Sequence, residues 1–222
     1  MFKELYSLMK KEDLLQRSYD ECAQMLSTTE GMFNGTTKLL RESDSTDLDL
    51  DVYAEDKTVN AGERDIRRKV LTHLTIMGNQ SDINAAFILI TIIHDMERIG
   101  DYCKNIFELT QKHPSQLNFE DCDVKVKTIE TIIAKAFKTF NVDFQDTSID
   151  KSRGLMSDLS DAKKTADSII DDFLEGVIAK NNDRKTIVTK VMYLRFLKRI
   201  ASHLNNIATS FVNPFDRIGF EE

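Results

Sequence analysis

Tryptophan is absent, and the 222 residues hold only two prolines and eight glycines. So few chain breakers argue against a β-sandwich, which needs many turns, and for long helices. Cysteine is scarce too. Cys22, Cys103 and Cys122 stand far apart with no paired spacing, which excludes a disulfide framework and a thiolate zinc site and fits a reducing compartment. The longest apolar stretch, Ile83 to Ile93, is interrupted by Asn84 and Thr91 and falls short of the ~20 residues of a membrane span. Met1-Phe2-Lys3-Glu4-Leu5 lacks the basic-then-apolar order of an export signal, so a soluble cytoplasmic protein is expected. Positive charge is in deficit. The net charge of −7 argues against a sequence-independent grip on nucleic acid, which needs clustered Lys and Arg. No Gly-rich phosphate loop, Gly-x-Ser-x-Gly elbow or His-Glu-x-x-His occurs. The paired Glu-x-x-His of di-iron bundles is missing as well.

What is present is amphipathic. Apolar residues make up 41% and charged residues 30%, enough for a buried core and against wholesale disorder. The apolar spacing is helical almost throughout and predicts six long helices. The first runs from near Leu5 to Leu40, with breaks considered at Lys11–Asp13 or at Gly31 and Gly35. The second runs from Leu48 to Met77, capped from within Ser43–Asp47 and ended by Gly78-Asn79. Ser81 or Asp82 caps the third, which reaches His113 before Pro114. The fourth spans Phe119 to Phe144 with Val124, Ile129 and Ile133 inward, and the fifth Ile149 to Ile178 with Leu155, Leu159 and Val177 inward. The sixth starts after Asn181-Asn182-Asp183 and runs from Arg184 to Val212.

The second half repeats the first. Glu97-Arg98-Ile99-Gly100-Asp101-Tyr102-Cys103-Lys104-Asn105-Ile106 aligns with Lys198-Arg199-Ile200-Ala201-Ser202-His203-Leu204-Asn205-Asn206-Ile207, and the same offset sets Asp82 on Asp183. Self-similarity of this length predicts a duplicated three-helix unit: residues 1–116, then 117–222. Three amphipathic helices close a core between them, and two such units make an all-α pair of tandem antiparallel three-helix bundles.

The third helix carries the most informative chemistry. At 100° per residue, Ile83, Phe87, Ile90, His94, Glu97, Asp101 and Asn105 share one side, apolar early and acidic late. Glu97 and Asp101 lie at the margin of the buried face. Carboxylates four residues apart repel by a few tenths of a kcal/mol, and a cation between them reverses that sign. The second helix offers Asp56 and Asn60 at the same spacing, with Glu63 a turn further on. Two helices with two oxygen-bearing side chains each can surround a cation; such donors suit Mg, Ca or Mn, and carboxylate-rich sites take iron. The plain alternative is a solvated edge with Glu97 paired to a basic neighbour. His94 reads as a core-edge histidine rather than a ligand.

The segment Glu97-Arg98-Ile99-Gly100-Asp101 with Asn105-Ile106, and the segment Glu55-Asp56-Lys57-Thr58-Val59-Asn60, together resemble the PhoU family of phosphate-uptake regulators. That likeness extends over length, helix number, duplication and motif positions. It implies the paired three-helix bundles, metal bound by the acidic motifs, and a non-enzymatic regulator linking a phosphate transporter to a sensor kinase. Asp56, Asn60, Glu97 and Asp101 match the family's acidic positions, with Asn105 and Glu63 as candidates for supporting hydrogen bonds. The second repeat departs from the pattern. Lys198 and Ser202 replace its Glu and Asp, and none of the registers Ser157/Asp161 through Asp161/Thr165 on the fifth helix holds two acids.

The expectation is therefore one metal site (Mg, Mn, Fe or Ca), in the first repeat only. The function expected is regulation of phosphate transport or signalling through contact with a permease or sensor kinase at the cytoplasmic membrane face. The protein is not expected to be an enzyme or to bind nucleic acid, and a homodimer is left open. Lys198 with Arg195, Arg199 and Lys190 forms a weaker candidate, a basic patch for an acidic surface or phosphate. A carboxylate-bridged metalloenzyme and a metal-free helical scaffold are the rival readings.

Overall fold

The computed structural model describes residues 14–76, 78–143, 148–178 and 182–220. Among the described residues six helices follow one another: α1 (Leu14–Glu42), α2 (Val52–Ile76), α3 (Gln80–Lys112), α4 (Asp123–Asp143), α5 (Ile149–Leu174) and α6 (Arg184–Ser210). Single 3-10 turns precede α4 (Glu120–Cys122) and follow α6 (Phe215–Arg217). No strand occurs among the described residues, and no described helix is long and apolar enough to cross a membrane.

Each helix buries the stripe that its sequence spaces at three and four residues. In α1 the stripe is Cys22, Met25, Leu26, Thr29, Met32, Phe33, Thr36 and Leu40. The buried threonines return their hydroxyls to the preceding turn, Thr29 to Met25 and Thr36 to Met32, so both of these hydroxyls are paired. Gly31 and Gly35 do not interrupt α1; the Leu5–Asp13 part of the expected first helix lies outside the described residues. The cap of α2 is Asp51, not a residue of Ser43–Asp47: its Oδ1 accepts the Ala54 N–H at 3.0 Å. The N-cap of α3 is Asn79, not Ser81 or Asp82; Asp82, in the first turn, accepts the Asn79 N–H at 3.1 Å and also meets His73 Nε2 at 2.9 Å, tying the end of α2 to α3. Asp183 caps α6 through the Thr186 N–H at 3.0 Å.

Helices α1, α2 and α3 pack on one another, as do α4, α5 and α6. The two sets are not independent, because α3 lies along α6 and α1 touches α4, and one continuous apolar core runs through all six helices. This explains why α3 is buried over so wide an arc, one that takes in Leu89, Ile92, Ile93, Asp95 and Ile99. At the α3–α6 contact the buried Asp95 accepts from His203 Nδ1 at 2.7 Å and from Asn206 Nδ2 at 2.9 Å. Arg41 joins the two sets elsewhere, with Nε on Glu130 Oε1 at 2.9 Å; Tyr193 OH donates to the same oxygen at 2.8 Å.

Two inward assignments are corrected. Val124 is 79% exposed and Val177 is 56% exposed. Val124 lies in the first turn of α4, before its stripe begins at Val126 and Ile129. Val177 lies past the end of α5, which stops at Leu174; Gly176 follows at φ +67°, a left-handed conformation that halts the helix at little cost for glycine. Met77 and Phe144, the expected ends of the second and fourth helices, fall outside the described residues.

Candidate metal centre

Because α2 and α3 are antiparallel, their polar margins meet in reverse order. Asp56 lies opposite Asp101 and Lys104; Glu63 lies opposite His94 and Glu97. Gly100 faces Val59 in this seam, and a Cβ there would sit 3.5 Å from a Val59 methyl, in ordinary contact.

At one end of the seam three donors converge. One ligand atom from each of Glu63, His94 and Glu97 lies within 4.8 Å of the other two. His94 Nδ1 is 3.4 Å from Glu63 Oε1 and 3.9 Å from Glu97 Oε2. Glu63 is also held by Arg67 at 2.8 Å, one turn along α2. Glu97 has no such direct cation. Burial pushes its carboxyl above the usual carboxylate range, and the charges of Asp101 and Glu63 push it the same way. The site thus carries an excess of negative charge that a bound cation would relieve. Two carboxylates with one imidazole suit a first-row divalent metal such as Mn, Fe or Zn better than Mg or Ca, which prefer oxygen alone. These residues fit one metal ion.

At the other end a cation is already in place. Lys104 Nζ donates to Asp56 Oδ2 at 2.9 Å and to Asp101 Oδ1 at 3.0 Å, so one ammonium bridges carboxylates of two helices. Asn60 Nδ2 donates to Asp56 Oδ2 at 3.3 Å. Arg98 holds the other Asp101 oxygen at 2.7 Å while lying over the Tyr102 ring, 5.4 Å from its centroid. Burial works against the Lys104 charge, but the hydrogen bonds and charges of Asp56 and Asp101 outweigh it and raise the lysine's pKa. The four expected ligands are therefore divided. Glu97 belongs to the Glu63–His94 cluster; Asp56, Asn60 and Asp101 gather round Lys104. Of the two supporting candidates, Glu63 stands in the cluster itself. Asn105 lines a cleft of about 1090 Å³ between α3 and α6, together with Leu109, Lys112, Arg184 and Met192.

The second unit has a different chemistry at the matching place. Lys198 reaches back to α5 and donates to both oxygens of Asp167 at 2.6 Å. Ser202 returns its hydroxyl to the Lys198 carbonyl at 2.9 Å. Lys190 is buried, bonded to Glu120 at 2.8 Å and to Asn182, with its ammonium 5.7 Å from the Phe119 ring centroid. Lys190 and Lys198 are thus committed to internal partners and form no open basic patch. Three residues that the structure sets beside the expected ligands, or beside their counterpart in the second unit, were not among them. His94 stands three residues before Glu97, a spacing that puts both side chains on one face of α3. Lys104 stands three residues after Asp101, a spacing that favours an ion pair. Asp167 lies beyond the registers considered on α5.

A duplicated, antiparallel six-helix bundle with an acidic α2–α3 seam defines the structural class. Residues 22–110 match the PhoU domain family. The fold is similar to that of PhoU from Pseudomonas aeruginosa, at 18% identity, covering 89% of this chain and 95% of that one with a TM-score of 0.77. It is also similar to the phosphate transport system regulatory protein PhoU from Streptococcus pneumoniae, at 13% identity, covering 89% and 92% with a TM-score of 0.76. A comparison with curated proteins gives no match. The family match thus lies within the first unit, and the likeness in fold extends across both units.

Proposed function

We propose that this chain is a PhoU-like regulator of phosphate transport or phosphate signalling. It works at the cytoplasmic face of the membrane by contact with a transporter or sensor complex, not by catalysis. The observation that carries this reading is the Glu97–Asp101 motif set against the Asp56–Glu63 segment inside a PhoU domain. The non-enzymatic reading is supported by the state of the best nucleophiles. Cys22 and Cys103 are wholly buried, and burial drives both thiols far above their ordinary pKa, so neither supplies a thiolate.

Within this reading Glu63, His94 and Glu97 hold one divalent metal ion. The ion would supply positive charge at the α2–α3 seam and cross-link the two helices, a structural or regulatory contribution rather than a reactive one. On the protein's side, Arg67 holds Glu63 and the buried apolar faces of α2 and α3 fix the backbone from which all three donors project.

The test is phosphate uptake by source-organism cells that lack the chain, grown with ample phosphate, before and after complementation. A changed uptake rate or phosphate-responsive transcription, restored by the intact gene, is expected. Unaltered uptake and transcription in both conditions would refute the assignment.

A further inference from the structure

The α2–α3 seam draws two carboxylates from separate helices onto one point, and the group at that point belongs to the chain. Asp56 is 8% exposed, so an uncompensated charge on it would be costly. Lys104 Nζ satisfies it at 2.9 Å and Asp101 at 3.0 Å. The second unit uses the same device two turns away. Lys198 stands in the repeat where Glu97 stands in the first, and it clips α6 to α5 through both oxygens of Asp167. Each unit therefore joins its second and third helices by a lysine–aspartate bridge.

We propose that Lys104 is a built-in cation that takes the place of a metal ion between Asp56 and Asp101 and excludes metal from that pair. An ammonium within 3.0 Å of both carboxylates fills the position a bridging ion needs and repels a second cation. The seam is closed at this end without any metal. The inference is independent of an ion at Glu63, His94 and Glu97 and stands if that cluster binds nothing.

Replacing Lys104 by an uncharged side chain leaves Asp56, Asn60 and Asp101 as an oxygen-donor set with excess negative charge. Such a set takes Mn²⁺ or Mg²⁺. The experiment compares the full-length parent with Lys104→Met, Lys104→Gln and the double variant Lys104→Met/Asp101→Asn. Bound Mn²⁺ per chain is measured by equilibrium dialysis against MnCl2, and melting temperature is followed with and without MnCl2.

Lys104→Met and Lys104→Gln are expected to bind one more Mn²⁺ than the parent, whatever the parent binds. Their melting temperatures are expected to rise by about 5–10 °C at a hundredfold excess over Kd. The double variant loses the additional ion. If the single variants fold only when MnCl2 is present, that rescue supports the proposal equally. Equal Mn²⁺ in parent and single variants, an additional ion that survives Asp101→Asn, or variants that neither fold nor are rescued by MnCl2 would overturn it.

Discussion

Replacing Asp95 by alanine should loosen the joint between the two three-helix units. Asp95 sits in the α3–α6 contact at 6% exposure, and one of its oxygens accepts from both His203 Nδ1 and Asn206 Nδ2 at 2.7 and 2.9 Å. The His203 ring also stacks on Tyr102, with centroids 5.8 Å apart, so its position depends on α3 twice over. Alanine removes the acceptor and strands two donors. Hydrogen bonds to a charged group contribute about 1.5–3 kcal/mol each, and stranded buried donors cost a similar amount. Because the His203 side chain is 18% exposed, water recovers part of that loss. A net destabilisation of about 3 kcal/mol follows, and for a chain of this size that lowers the melting temperature by about 6–12 °C. Thermal unfolding followed by circular dichroism measures it. Asp161→Ala on the exposed face of α5 serves as the control and should change stability by under about 0.5 kcal/mol. In a double-mutant cycle, Asp95→Ala and His203→Ala should be non-additive by at least ~1 kcal/mol. A fall of under ~2 °C for Asp95→Ala, or additivity in the cycle, would refute the claim that this contact couples the units.

Glu120 and Glu97 make opposite predictions about pH. The Glu120 pKa is lowered first by its hydrogen bond from the buried Lys190, so its contribution is present above the ordinary glutamate pKa and is lost as pH falls through the depressed value; Glu120→Gln should flatten that acid limb of the stability curve. The Glu97 pKa is raised by burial and by neighbouring carboxylates, so the metal-free protein loses stability as pH rises from about 4.5 through the raised value. Glu97→Gln should therefore raise the melting temperature of chelator-treated protein at neutral pH and leave it unchanged in acid. A lower melting temperature for that variant under chelation would contradict the electrostatic reading of the seam.

Much of the architecture was legible in periodicity. Ile129, Ile133, Leu155 and Leu159, named as inward from three-and-four spacing, are buried in the structure, and the repeat alignment between Glu97–Ile106 and Lys198–Ile207 matches the corresponding roles of α3 and α6 at the core. Errors gathered at helix ends. Val124 and Val177 kept the phase of a stripe but lay outside the turns that the core covers. Ile83 and Phe87 are apolar yet 44% and 48% exposed, and Phe87 meets Phe215 from beyond α6, a contact no local pattern announces.

The candidate site was legible in its acids and not in its cations. Marginal placement of Asp56 and Glu97 follows from helical phase alone. Whether a long lysine reaches its own helix or the next depends on how two helices are set side by side. Lys104 spans from Asp101 on α3 to Asp56 on α2, and Lys198 passes to Asp167 on α5. Those choices divided an expected four-oxygen site into an ammonium bridge and a Glu63–His94–Glu97 cluster.

Anomalous diffraction from crystals of the intact chain equilibrated with MnCl2 tests the central claim most directly. The account predicts a single Mn peak, between Glu63, His94 and Glu97, with none at the Asp56–Lys104–Asp101 bridge and none beside Asp167 and Lys198. A peak between Asp56 and Asp101 with Lys104 displaced, or matching peaks in both units, would contradict it.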